Sequence, residues 1–377
     1  HSISQAIQTM STAAAFRQVA RSNAKFTFNS RVVASIALAG SIGAFTYNYN
    51  NNNNNNKGNS PKDIANKALF GFGASKAVDA NVSTNVREAK PVVTDTAYYQ
   101  RVYNAIAQKL IDEDDFDDGS YGPILVRLAW HNSGSYNQND KSDTKGGSYA
   151  GTMRYDKEQA DPENAGLETA MKFLDPIRKQ FPELSHGDLY TLGGVVSIQE
   201  MSGPKISWRP GRVDLPVEVT PPYHRIPDAS QTSGNYLREV FTDRLGFTDE
   251  ELVALIGVGH SIGRCHVKNS GFDGPWTFSP TTVTNQFFVL LLDENWDWKK
   301  WDGKKQYEDT KTKSLMMLPT DMAMKKDGNM KKIMEDFAKD EEKCMKVFAS
   351  AFSRLLERGI KFNTEPILFK TLEEQNL

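Results

Sequence analysis

The chain has 377 residues, enough for a large core and two lobes. With 39% hydrophobic residues, 24% charged residues and a net charge of −2, it has a globular composition that argues against general nucleic-acid binding. Its two cysteines, Cys265 and Cys344, belong to no metal motif and define no disulfide framework; they read as two buried thiols.

Residues 1–62 hold six basic residues and no acid, which leaves 39 basic and 47 acidic residues, or −8, on the remainder. Residues 1–31, rich in Ser, Ala and Asn with Arg and Lys, have the composition of a mitochondrial transit peptide. The apolar run 32–47 is shorter than the ~20 residues of a comfortable transmembrane helix. Basic leader and apolar stop together read as a bipartite signal for the intermembrane space, with the matrix as the alternative destination. The precursor would contact the inner membrane through 32–47; the competing reading is an incidental apolar patch. Asn48 to Asn56, broken only by Tyr49, is a low-complexity spacer. Residues 1–90 are therefore assigned to presequence and spacer.

The folded body is expected from about Asp95. Tyr98, Val102, Ile106 and Leu110 recur at helical spacing. The acidic run Asp112–Asp118 reads as a solvated face. Ile124–His131 is a buried helix, with Pro123 suited to its start and Gly134 to its end. Arg127 and His131 lie four apart on one face, beside Trp130. A buried guanidinium and imidazole need partners or a polar cavity, so the pair is either a satisfied structural one or part of a site. Asp161 to Leu167 is expected to open a helix to about Phe181, and Ser185 with Asp188 to start another. Residues 202–233 read as irregular. Thr248–Glu251 is a capping box for Leu252–Val258, and later helices are expected over 282–293 and 329–359. No βαβ alternation or repeat appears, so the expected fold is mainly α with minor β.

Of six histidines, His1 lies outside the body, His186 reads as an exposed helix-start residue, and no motif claims His224. His260 lies in Gly257-Val-Gly-His-Ser-Ile-Gly-Arg-Cys-His266, after an apolar helix, among glycines that permit close approach of a large flat group. Such a histidine is a core residue or an axial ligand whose other nitrogen needs an acceptor.

The segment Arg127–Trp130–His131 resembles the distal helix of class I haem peroxidases, and Gly257–His266 resembles their proximal motif. The resemblance runs from about Tyr98 to the C-terminus and is closest to the mitochondrial cytochrome c peroxidase branch. It implies a two-lobed helical fold with haem between a distal lobe (91–230 plus 352–377) and a proximal lobe (231–351). His260 would be the iron ligand, with Asp321 as its acceptor and Trp276 as a radical site sharing that carboxylate. Asn164 would fix the His131 tautomer, His131 would be the base, Arg127 would stabilise developing charge, and Trp130 would cover the haem. His266 would lie near a haem propionate. One non-covalent haem b is implied, since no Cys-x-x-Cys-His attachment motif occurs.

The resemblance implies reduction of hydrogen peroxide to water by reduced cytochrome c, through a ferryl haem and a Trp276 radical cation, as a protection against peroxide in mitochondria. Ascorbate peroxidases share both motifs, and Gly263-Arg-Cys-His and Pro275-Trp-Thr look more like theirs. They carry an Arg where this chain has Asn269, and a cation-binding Asp where it has Thr284. A nearby cation would oppose a Trp cation by Coulomb repulsion. Met316 and Met317 match methionines beside the radical Trp of the cytochrome c branch. Asp114, Asp115 and Leu372–Leu377 fall where that branch docks its basic partner; Phe278 departs from its pattern. Ascorbate peroxidase and a haem-based peroxide sensor stand as the alternatives.

Overall fold

The computed structural model describes residues 87–377, so the leader, the apolar run and the Asn tract lie outside the described residues. Arg87–Glu88 (β1), at the end of the segment assigned to presequence and spacer, pairs in parallel with Ile360–Lys361 (β7).

Asp95 caps α1 (Thr96–Asp112), accepting from Ala97 N, and Tyr99, Val102, Tyr103 and Ile106 form its buried stripe. In α2 (Gly122–Gly134), Pro123 sits in the first turn, where the missing N–H costs nothing. Helix α3 (Glu168–Gln180) comes after a separate 3-10 turn, Pro162–Asn164. The helix expected to open at Asp161 is interrupted because Gly166 takes φ +85°, a left-handed value that ends the turn. Ser185 caps α4 (His186–Glu200), which is buried on every side from Gly187 to Gln199. Its tightest neighbour is α2, where a Cβ on Gly194 would meet the Ala129 Cβ at 2.4 Å. Only glycine permits that approach, so the distal helix is clamped in place.

Thr248 and Glu251 form the capping box of α5 (Asp249–Gly259). Helix α6 is Gln286–Asp293, shorter than the expected 282–293 because the chain turns at Asn285. The run expected as one helix over 329–359 is two, α8 (Gly328–Lys339) and α9 (Glu341–Glu357). Asp340 leaves helical geometry and caps the second, accepting from Lys343 N. Helix α7 (Pro319–Lys326) was not expected from periodicity; Pro319 begins it. Helix α9 packs on both α5 and α2, so the 351/352 lobe boundary falls within one continuous helix.

The strands are short. Arg264–Cys265 (β2) pairs antiparallel with Gly274–Pro275 (β3), which sets Trp276 beside the end of α5. Trp296–Trp298 (β4), Tyr307–Asp309 (β5) and Met316–Met317 (β6) form an antiparallel meander that delivers the chain to α7. The fold is mainly α.

Candidate active site

Two side-chain groups face each other across a cavity of about 580 Å³. On the α2 side, the His131 Nδ1 lies 2.9 Å from Asn164 Oδ1. Asn164 donates its amide N–H to the Glu158 carbonyl at 2.8 Å, so its oxygen faces the imidazole. His131 Nδ1 is then the protonated nitrogen and Nε2 carries the lone pair. Burial, helped by the Arg127 guanidinium, holds the imidazole well below its ordinary pKa, against the raising effect of Asn164. His131 is thus a neutral base at neutral pH.

Arg127 donates to the carbonyls of Ala165 at 3.0 Å and Glu163 at 2.9 Å. It makes no ion pair with a carboxylate among the described residues, so its cation remains available to an anion in the cavity. Both donor and base are therefore held by one turn, 161–166. Trp130 stacks on Phe241 (centroids 5.5 Å, planes 9° apart) and meets His131 edge-on. Phe241 comes from a π turn, Glu239–Arg244, at the same wall.

Across the cavity, His260 closes α5 with its N–H on the Ile256 carbonyl. Its Nδ1 lies 3.0 Å from Asp321 Oδ1. The other oxygen, Oδ2, accepts from Trp276 Nε1 at 2.9 Å and from Leu318 N at 2.8 Å. Asp321 is fully buried, and these three donors satisfy its charge. The Trp276 ring lies over His260, with centroids 4.3 Å apart and planes 13° apart. A carboxylate on its N–H would stabilise an indole cation.

The space between has mostly apolar walls, including Ile124, Val126, Leu237, Leu255, Phe348 and Phe352. A Cβ built on Gly259 would meet nothing within 4 Å. With Nδ1 committed to Asp321, the His260 Nε2 is the nitrogen left to ligate. Volume, apolar lining, open Gly259 face and committed imidazole all fit a flat, iron-bearing cofactor.

Other residues singled out in the sequence lie at the rim of the cavity or away from it. His266 lines the rim, with Nε2 2.7 Å from Asp117 Oδ1. Asp117 comes from the acidic run that reads as a solvated face. Asn269 is also at the rim, packed on Gly166. Thr284 N faces Ser261 Oγ at 3.4 Å, and Phe278 is exposed. His186, expected to be exposed, is half-buried because Asp214 accepts from it at 2.7 Å. Cys344 is buried, whereas Cys265 lines the cavity; burial pushes both thiols up to about 12. Sequence reasoning missed the Glu163 and Ala165 carbonyls and Phe241. Backbone groups leave no signal in side-chain identity, and Phe241 carried only that of a core residue.

The family model "Peroxidase" matches residues 101–340. The chain is 58% identical over 266 residues to a protein of Yarrowia lipolytica named cytochrome c peroxidase, mitochondrial, covering 71% of this chain and 76% of that one. The protein of that name from Candida glabrata is 53% identical over 286 residues, 75% and 78% of the two chains. The Aspergillus fumigatus protein of that name is 48% identical over 323 residues, 84% and 86%.

Proposed function

Since the chain belongs to the peroxidase family, we propose that the cavity between His131 and His260 is where it reduces hydrogen peroxide, with electrons from reduced cytochrome c. The overall change takes one peroxide, two electrons and two protons to two waters, so each turnover uses two cytochrome c molecules. The single observation that carries the electron path is Trp276, stacked on His260 with its N–H on the buried Asp321. The cofactor is one haem b, held without covalent attachment; His260 would hold its iron, and His266 would serve its polar edge. Bound haem supplies the redox-active iron at which the peroxide O–O bond is cleaved.

The chain's own residues supply the rest. His131 Nε2 takes the proton of bound peroxide and gives it to the departing oxygen. Asn164 keeps Nε2 unprotonated until then. Arg127, held by two carbonyls rather than a carboxylate, stabilises the charge that develops on the departing oxygen. Trp130 walls the cavity. On the other side, Trp276 yields one electron inward and is refilled from cytochrome c, while Asp321 stabilises its cation. Residues 91–230 with 352–377 form the distal lobe and 231–351 the proximal one, with the haem between them.

The donor docks through its basic face, with Asp114, Asp115 and the 372–377 end as the acidic surface. The protein acts in mitochondria as a protection against peroxide. Residues 1–47 direct it to the intermembrane space, with passing contact between 32–47 and the inner membrane.

Trp276→Phe tests this electron path. The variant should consume peroxide in a single turnover at the wild-type rate yet oxidise cytochrome c at a small fraction of it. Wild-type cytochrome c turnover in the variant would overturn the role of Trp276.

A further inference from the structure

At the edge of the cavity, which Glu163 also lines, one cluster of ligating side chains among the described residues takes no step in peroxide reduction. Asp161, Glu163 and His224 bring a carboxylate oxygen, a second carboxylate oxygen and an imidazole nitrogen within 4.8 Å of one another. The His224 Nδ1 is 3.7 Å from Glu163 Oε1. The His224 backbone N–H donates to Asp161 Oδ2 at 2.9 Å, and Glu163 N approaches Asp161 Oδ1 at 3.3 Å. Each Asp161 oxygen keeps a second lone pair.

The arrangement is built from two directions. Pro221 and Pro222 stiffen the approach of the 220–224 loop. His224 then sits at φ +62°, a left-handed value that a side chain with a Cβ adopts at a cost. That conformation sets its imidazole over Glu163. From the inner side comes Glu158, only 5% exposed, whose Oε2 has no hydrogen-bond partner. Glu158 and Asp161 border the same cavity of about 10 Å³, room for one water. Arg225 also borders it, but its guanidinium is committed to Asp140 and to the Ser135 carbonyl. An unpartnered oxygen of the buried Glu158, whose pKa burial pushes up to about 7 against a hydrogen bond from Thr152, thus borders the same small cavity as Asp161 of the cluster.

We propose that Asp161, Glu163 and His224 bind a divalent first-row transition cation, with Glu158 reached through a water in the small cavity. Two carboxylates and an imidazole suit Zn²⁺, Mn²⁺ or Fe²⁺; the imidazole argues against Ca²⁺. Metal–ligand distances near 2.1 Å put donors roughly 3.0–3.5 Å apart. The cluster closes to that spacing by rotation of His224, whose side chain is 71% exposed. The site matters because of its neighbours. Asn164, which orients His131, directly succeeds Glu163, and the Glu163 and Ala165 carbonyls hold Arg127. A bound cation would tie the turn that positions both groups to the 220–224 loop.

The test is calorimetric titration of Zn²⁺ into the full chain in its haem-loaded form. Wild type should bind one equivalent at this site. Glu163→Gln and His224→Gly should each weaken it by at least ~10–100-fold, the range already seen when mere supporting groups of a metal site are lost. Glycine suits the left-handed backbone at 224, so His224→Gly keeps the fold, checked by circular dichroism. His186→Asn, which breaks the pair with Asp214, should leave the titration unchanged. Absence of Zn²⁺ binding by wild type would overturn the proposal. So would wild-type affinity in both cluster variants, or loss of the site in His186→Asn.

Discussion

Asp321→Asn changes one atom group at the centre of the proximal assembly, where each carboxylate oxygen has its own donors. Oδ2 serves two of them, Trp276 Nε1 and Leu318 N, whereas Oδ1 serves only the His260 Nδ1. The asparagine carbonyl therefore takes the Oδ2 place and its NH₂ faces His260. Two N–H groups cannot bond each other. Either the contact is lost, or His260 moves its proton to Nε2 and forfeits the nitrogen needed for the iron. A hydrogen bond to a charged group contributes about 1.5–3 kcal/mol, which corresponds to roughly 10–150-fold in affinity. Haem titrated into the apoprotein should bind Asp321→Asn at least ~10-fold more weakly, with an absorption spectrum that reports altered ligation. Circular dichroism checks that the helices persist. A variant with wild-type haem affinity and spectrum would refute the claim that Asp321 fixes the His260 tautomer.

Single features of the cavity set further outcomes. His131 is held well below its ordinary value by burial and by Arg127, so its neutral, base-competent form persists as pH falls. The peroxide reaction rate should be flat from pH 8 down through ~6.5, the ordinary imidazole value, and decline only below it; a midpoint at or above ~6.5 would contradict the base assignment. Gly259→Leu should leave the apoprotein melting temperature close to that of wild type, because a Cβ at this position meets nothing within 4 Å and Gly259 lines the cavity. It should cut haem affinity roughly 5–150-fold, since overpacking costs about 1–3 kcal/mol; wild-type haem affinity would place the cofactor elsewhere.

The two motifs that define the site were legible because each is local. Arg127, Trp130 and His131 occupy one helix, and His260 ends another whose capping box is written in Thr248 and Glu251. Asp321 lies 61 residues from His260. No periodicity joins them, and only the family resemblance does. Boundaries failed where a single backbone dihedral decided them. Gly166 at φ +85° splits the helix expected from Asp161, and Asp340 divides the one expected over 329–359. The acidic run is largely exposed, as expected, but the partners of polar residues were not legible because pairing is a tertiary fact. Asp117 holds His266, and Asp214 holds His186. The carbonyls that hold Arg127 could not be read at all, since every residue carries one.

The central claim is that electrons enter from cytochrome c rather than from a small reductant. The direct test is steady-state peroxide reduction by the wild-type protein with reduced cytochrome c and with ascorbate, across a range of ionic strength. Cytochrome c should be the far better donor, with a rate that falls as salt screens its approach to the acidic surface. Ascorbate should be poor, because Asn269 at the cavity rim offers no cation to its anion. A protein that prefers ascorbate, or that leaves reduced cytochrome c untouched by peroxide, would contradict the account.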